Sequence, residues 1–154
     1  MATSRYAAVA DAIVATLQAD ANLSAVVVSD GLPITEDRLT SLDIVGNSGD
    51  PEDPYAGRFE QEYHDLAGVN STRDETITIP CCVLAQTGDI DVSATRLSAF
   101  TILGYVEGAL RANYRLGLDN VLRVEMSGGD VNVSQFADGT AVRLSFSITA
   151  ACLI

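Results

Sequence analysis

Residues 140–152 read Thr140-Ala-Val-Arg-Leu-Ser-Phe-Ser-Ile-Thr-Ala-Ala-Cys152, and this stretch decides the fold class. Val142, Leu144, Phe146, Ile148, Ala150 and Cys152 fall on one face of an extended chain, and Arg143, Ser145, Ser147 and Thr149 fall on the other. Such strict alternation belongs to a strand with one face buried. Two turn signals precede it, Ala137-Asp138-Gly139 and Ser127-Gly128-Gly129-Asp130. They predict hairpins joining strands at 121–126, 131–136 and 140–152.

Upstream, the apolar period lengthens from two to three and four. Leu97, Phe100, Leu103, Val106 and Leu110 predict a helix over 93–115, opened by Asp91 or Ser93. Gly104 and Gly108 lie four apart inside it, where each costs roughly 1 kcal/mol relative to alanine. The expected reason is close packing, with the backbone of the first helix or of the sheet lying against the bare side. That first helix is read over 4–21 from Tyr6, Val9, Ala10, Ile13, Val14 and Leu17, with Thr3 or Ser4 as its N-cap and Asn22 as its stop.

Between the helices, strands are expected at 25–29, at 38–46, at 58–66 and at 75–86. The first ends at Asp30-Gly31 and Pro33, and the third is followed by a turn through Gly68, Asn70 and Ser71. The fourth contains Pro80, which has no N–H to give a ladder, so that strand is expected at an edge or bulged there. The order is helix, four strands, helix, three strands. It predicts one α+β domain over 1–154, a mostly antiparallel sheet with two long helices packed on one face. The segment Gly46-Asn-Ser-Gly-Asp-Pro-Glu-Asp-Pro-Tyr-Ala-Gly57 interrupts it and reads as a protruding loop.

Composition agrees with a folded domain. Of 154 residues, 47% are hydrophobic and 19% charged, far from the balance of a disordered chain. The first residues form no secretory apolar core, and no run approaches the length of a membrane span. The expected setting is therefore a cytoplasm with no membrane contact, where Cys81, Cys82 and Cys152 stay reduced. Cys81 and Cys82 are adjacent on a strand and point to opposite faces, which disfavours a shared metal. Net charge is −12, with nine arginines dispersed from Arg5 to Arg143 and no lysine. Nucleic-acid binding by counterion release needs clustered cations, so tight DNA binding is not expected.

Catalytic chemistry is hard to find. His64 shares a strand face with Glu60 and Glu62, but a general base also needs a cleft and an activated partner. A solvated or intersubunit polar face is the preferred reading. Asp50, Glu52 and Asp53 offer hard oxygen ligands without the register of a calcium loop, so an ordinary acidic loop is preferred there. No phosphate-binding glycine loop or nucleophile elbow is present, and the N-x-S/T matches at Asn22, Asn70 and Asn132 have no use without export. No catalytic residue, cofactor or metal site is expected. Asp50, Glu52, Asp53 and Tyr55 are the candidate assembly-contact loop, with Tyr55 either an aromatic contact anchor or folded back on its own sheet.

Taken in order, Val26-Val-Val-Ser-Asp-Gly-Leu-Pro33, Phe59-Glu-Gln-Glu-Tyr63, Leu66-Ala-Gly68, Arg73-Asp-Glu75 and Thr78-Ile-Pro-Cys81 resemble the tail-terminator proteins of long-tailed, siphovirus-type bacteriophages. The helix at 93–115 and the terminal hairpins fit the same pattern, so the resemblance covers nearly the whole chain. It implies a structural virion protein, assembled in the host cytoplasm, that forms a homo-oligomeric ring, a hexamer, at the head-proximal end of the tail. Its partners would be its own copies, the tail tube protein and the head-tail connector or neck protein. Genomic DNA would pass through without specific binding, past acidic walls that repel phosphate. The rival readings are another phage neck, head-completion or tail-tube protein, and a small host enzyme or binding protein built around His64.

Overall fold

A computed structural model describes residues 3–33, 40–50, 52, 57–64 and 72–154. The elements are α1 (Tyr6–Ala19), a 3-10 turn (Ala21–Leu23), β1 (Val27–Asp30), β2 (Ser41–Val45), β3 (Arg58–Tyr63), β4 (Arg73–Thr87), α2 (Val92–Ala112), β5 (Val121–Phe136) and β6 (Gly139–Leu153). The strands form one sheet in the order β1-β2-β4-β6-β5, with β3 also on β4. Only the β1–β2 pair is parallel. The fold is α+β.

Both helices cover one face. Val9, Ile13 and Leu17 of α1 and Ala99, Ile102, Val106 and Leu110 of α2 meet Ile77, Ile79, Val83, Leu144 and Ile148 of the central strands in one apolar cluster. Burying side chains of this kind is worth about 1.5–3 kcal/mol each, so this layer dominates the favourable side of folding. On the opposite face a small second cluster holds Leu42, Ile44 and Cys82, with Leu84 against it. Cys81 and Cys82 thus do point to opposite faces. Burial pushes both thiols up to about 12, which leaves them protonated and poorly nucleophilic.

Pro80 is neither at an edge nor at a bulge. β4 is central, with β6 pairing along its whole length, while β3 takes residues 73–78 on the other side and β2 takes 81–85. Pro80 falls in the gap between those two partners. Its carbonyl accepts from the Gly46 N–H at 2.9 Å on the β2 side. The missing N–H points the same way, into the gap, so no ladder bond is lost.

The expected hairpin turn at Ser127-Gly128-Gly129-Asp130 is instead a bulge. β5 continues along β6, with Ser127 opposite Ser147 and Asp130 opposite Ser145, so one extra residue is accommodated. A Cβ on Gly129 would overlap the Ser145 carbonyl, which explains the glycine. Two strands therefore follow α2, not three.

The helix ends also shift. Ser4 accepts from the Tyr6 N–H at 3.0 Å at the start of α1, one position ahead of the N-cap. That N-cap is Arg5, whose N–H donates to the Glu75 carboxylate of β4 at 2.8 Å. Glu75 is buried, and its other oxygen accepts from the Gln61 amide at 3.0 Å. Helix start and sheet are thereby tied together by a satisfied carboxylate. α1 stops at Ala19, and Asn22 lies in the 3-10 turn, donating its N–H to Asp20. Asp91 caps α2 as expected, accepting from the Ala94 N–H at 3.1 Å.

Candidate assembly interface

α2 is rotated relative to its expected orientation. Its buried stripe is Thr95, Ala99, Ile102, Val106, Ala109 and Leu110, while Leu97 is 70% exposed and Phe100 is 45% exposed. The three- and four-residue spacing of the large apolar residues put Leu97 and Phe100 inward. The sheet selects the small Thr95 and Ala99 because they allow the helix to sit close. Gly104 and Gly108 consequently lie on the solvent side with Leu97. A Cβ on either would meet nothing within 4 Å, so the close packing by α1 or the sheet expected of them is absent among the described residues. The result is an outward helix face carrying an exposed leucine and two bare backbone positions.

The candidate contact loop divides into three. Asn47–Asp50 fold onto the sheet face away from the helices, where Arg143 donates to the Gly49 carbonyl at 2.7 Å and Ser145 to the Ser48 carbonyl at 3.1 Å. Gly49 has a positive φ of 76°, and a Cβ there would crowd the Cys82 side chain. This part of the loop is seated on the subunit. Asp50 accepts from the Glu52 N–H at 2.9 Å, which is an ordinary local turn. Asp53 and Tyr55 lie outside the described residues, as do residues 38–39 and 65–66 of the expected second and third strands and the turn through Gly68, Asn70 and Ser71.

His64 follows β3 and is half exposed. Its Nε2 sits 2.6 Å from an Asp74 oxygen, across the ladder from where Glu60 and Glu62 were expected to meet it. Glu60 pairs instead with Arg58. No group of three His, Cys, Asp or Glu side chains suited to a metal occurs among the described residues. Among them, no helix is long and apolar enough to cross a membrane.

Two features escaped sequence reading. One is Asp43 in β2, wholly buried on the helix side, with neither carboxylate oxygen hydrogen-bonded among the described residues. Desolvation raises its pKa to about 7. Its place in the alternation Ser41-x-Asp43-x-Val45 was the available signal. The other is the pair of sheet edges. Among the described residues β5 pairs only with β6 and β3 only with β4, so each presents an unpaired backbone edge. Each edge carries the same Arg-x-Glu spacing, Arg58 and Glu60 on β3, Arg123 and Glu125 on β5, and all four side chains are more than half exposed. Exposed apolar groups accompany them: Phe59 on β3, and Leu122, Val131, Val133 and Phe136 on β5. Unpaired edges and exposed apolar patches of this kind are features that association surfaces use.

No protein-family model matches the chain, and no curated protein matches it. Among solved structures, a chain from "Virion of native gene transfer agent (GTA) particle" is similar, with a TM-score of 0.54 and 14% sequence identity. The similarity covers 97% of this chain and 99% of that one. It establishes a shared fold over nearly the full length of both.

Proposed function

We infer that this protein is a non-enzymatic structural component of a virion, a single-domain subunit that works by assembling into a ring at the end of a tail tube. The observation that carries the reading is the end-to-end similarity to a chain of a gene transfer agent virion. The unpaired edges on opposite sides of one sheet support it, because a heterologous contact repeated between copies gives a ring wherever its rotation closes. The resemblance to tail terminators supplies the role: the ring caps the tube, ends its polymerisation and presents a docking surface to the head connector. The net charge of −12 suits a conduit through which DNA slides without sticking. The outward face of α2 at Leu97, Gly104 and Gly108, and the loop with Asp50, Glu52, Asp53 and Tyr55, are the surfaces offered to the tube and connector.

Electron microscopy of particles carrying a labelled chain tests this. Closed rings at the head-proximal end of tails are expected, and one copy per particle, or none, defeats the reading. A second reading, another neck or tube subunit, is separated by adding the protein to growing tubes. A terminator arrests growth, whereas a tube subunit extends it.

A further inference from the structure

We propose that copies of this chain join edge to edge, β5 of one against β3 of the next, as an antiparallel continuation of the sheet in which Glu125 meets Arg58 and Arg123 meets Glu60. This rests on the ring reading and specifies the contact that builds it. β3 runs antiparallel to β4, β4 to β6 and β6 to β5, so β3 and β5 are antiparallel to each other. Neighbours related by rotation alone therefore present edges of the right polarity for pairing.

The side chains then fall into register. Arg58 is opposite Thr78, Thr78 opposite Thr149, and Thr149 opposite Glu125. Two rows further along, on the same face, Glu60 is opposite Thr76, Thr76 opposite Ala151, and Ala151 opposite Arg123. Each row thus begins and ends in opposite charges, on the face away from the helices, and a copy docked without slip continues every row with a complementary pair. Slipping by one residue would put each charge on the wrong face. Among the described residues the four groups pair along their own strands, Arg58 with Glu60 and Arg123 with Glu125.

The helix-side face agrees independently. Phe59 shares its row with Ile77, Ala150 and Val124. It is 52% exposed, and Val124 lies in a groove of about 360 Å³ between β5 and the end of α2, lined also by Leu110, Tyr114 and Met126. The same register brings the exposed ring of one copy to the groove of the next. The bulge at Ser127–Asp130 completes the fit. β1 extends the sheet by an extra strand only from the row of Asp30, Val45, Cys81 and Phe146 onward, and that row meets β5 at the bulge. A bulge bends and twists its strand, so the distal half of β5 turns aside where β1 would otherwise block it.

The test uses the full chain with two edge-reversed variants, Arg58→Glu with Glu60→Arg on β3, and Arg123→Glu with Glu125→Arg on β5. Self-association is followed by sedimentation velocity across concentration at low salt, with thermal melting to confirm folding. Each variant alone places like charges in both rows and is expected to associate about 10- to 30-fold more weakly than wild type. Mixing the two variants restores association, because every contact in an alternating ring is again complementary; combining all four changes in one chain restores it as well. Variants that associate as wild type does overturn the edge contact and leave the ring reading standing. So does weakened association that neither mixing nor combination rescues. A wild type that stays monomeric at every concentration overturns the edge contact, while labelled particles without rings overturn the ring reading itself.

Discussion

β5 and β6 are partners of nearly equal length, 16 and 15 residues, and they have opposite fates. β6 alternates between buried and half-buried along almost its whole length, with Val142, Leu144, Phe146, Ile148 and Ala150 under the helices. β5 buries Val121 and Val124, half-buries Met126, and then leaves residues 127–136 exposed, Phe136 at 54%. The apolar residues are comparable and the ladder between the strands continues past the bulge. What differs is coverage. β6 has β4 on one side and β5 on the other with helices packing above it, whereas the distal half of β5 has no layer over it among the described residues. A strand's apolar pattern therefore marks the faces that coverage will bury, and β5 carries more of that pattern than its own chain covers.

The largest expected effect breaks the rule that coverage stabilises. Asp43 is covered like Ile148 but carries a carboxyl with no hydrogen-bond partner among the described residues, and burial raises its pKa from 3.8 to about 7. A group whose folded pKa is raised binds its proton more tightly in the native state. Its contribution to stability is complete below the unfolded value near 3.8 and is lost as pH rises through about 7. A shift of this size corresponds to a loss on the order of 4 kcal/mol across that window. Asp43→Asn keeps the shape and removes the titration. Urea midpoints measured from pH 4 to pH 8 should fall with pH for the wild type and stay nearly level for Asp43→Asn; parallel curves would show that the carboxylate has found a partner.

The direct comparison comes next. Ile148→Ala on β6 removes a side chain that is 1% exposed and should cost about 2–4 kcal/mol. Val133→Ala on the uncovered half of β5 should change stability by no more than about 0.5 kcal/mol in the isolated subunit. Denaturant midpoints for the two variants at low protein concentration check this. Equal losses would mean that the distal half of β5 is covered in the free chain.

Much of the architecture was legible because the inner face is encoded redundantly. The alternation of 75–86 and 140–152 identified two strands, which the structure places at the centre of the sheet, and α1 and α2 were placed to within a few residues of their ends. The failures share one cause: local signals were read without their partners. Ser127-Gly128-Gly129-Asp130 looks like a turn until β6 supplies a continuous ladder for residues on both sides of it, which its length already implied. Pro80 looks like an edge residue until two short strands are found sharing one side of β4. Leu97 and Phe100 look like core until the sheet selects the smaller Thr95 and Ala99. The candidate surface was the least legible part, since Arg58, Glu60, Arg123 and Glu125 acquire meaning only when the ladder places them in common rows.

The smallest predicted effect carries the opposite sign from the one that close packing implied. Gly104 and Gly108 face open space, so an added methyl group meets no neighbour among the described residues. Glycine in a helix interior costs conformational entropy that alanine does not. Gly104→Ala and Gly108→Ala should therefore each stabilise the isolated chain by about 0.5–1 kcal/mol. Thermal melting of dilute protein reads that gain. A loss instead would show that a backbone does lie against this side of α2. The same variants extend the contrast between covered and uncovered regions to the outward helix face. If Leu97 and the two glycines seat a neighbour in the assembly, the more stable subunits should assemble less well, because a methyl group now holds the partner off. If that face stays open, assembly is unchanged. Measuring melting and tube capping on the same preparations separates the two outcomes, because the chain alone predicts the first gain and only a docked partner produces the second loss.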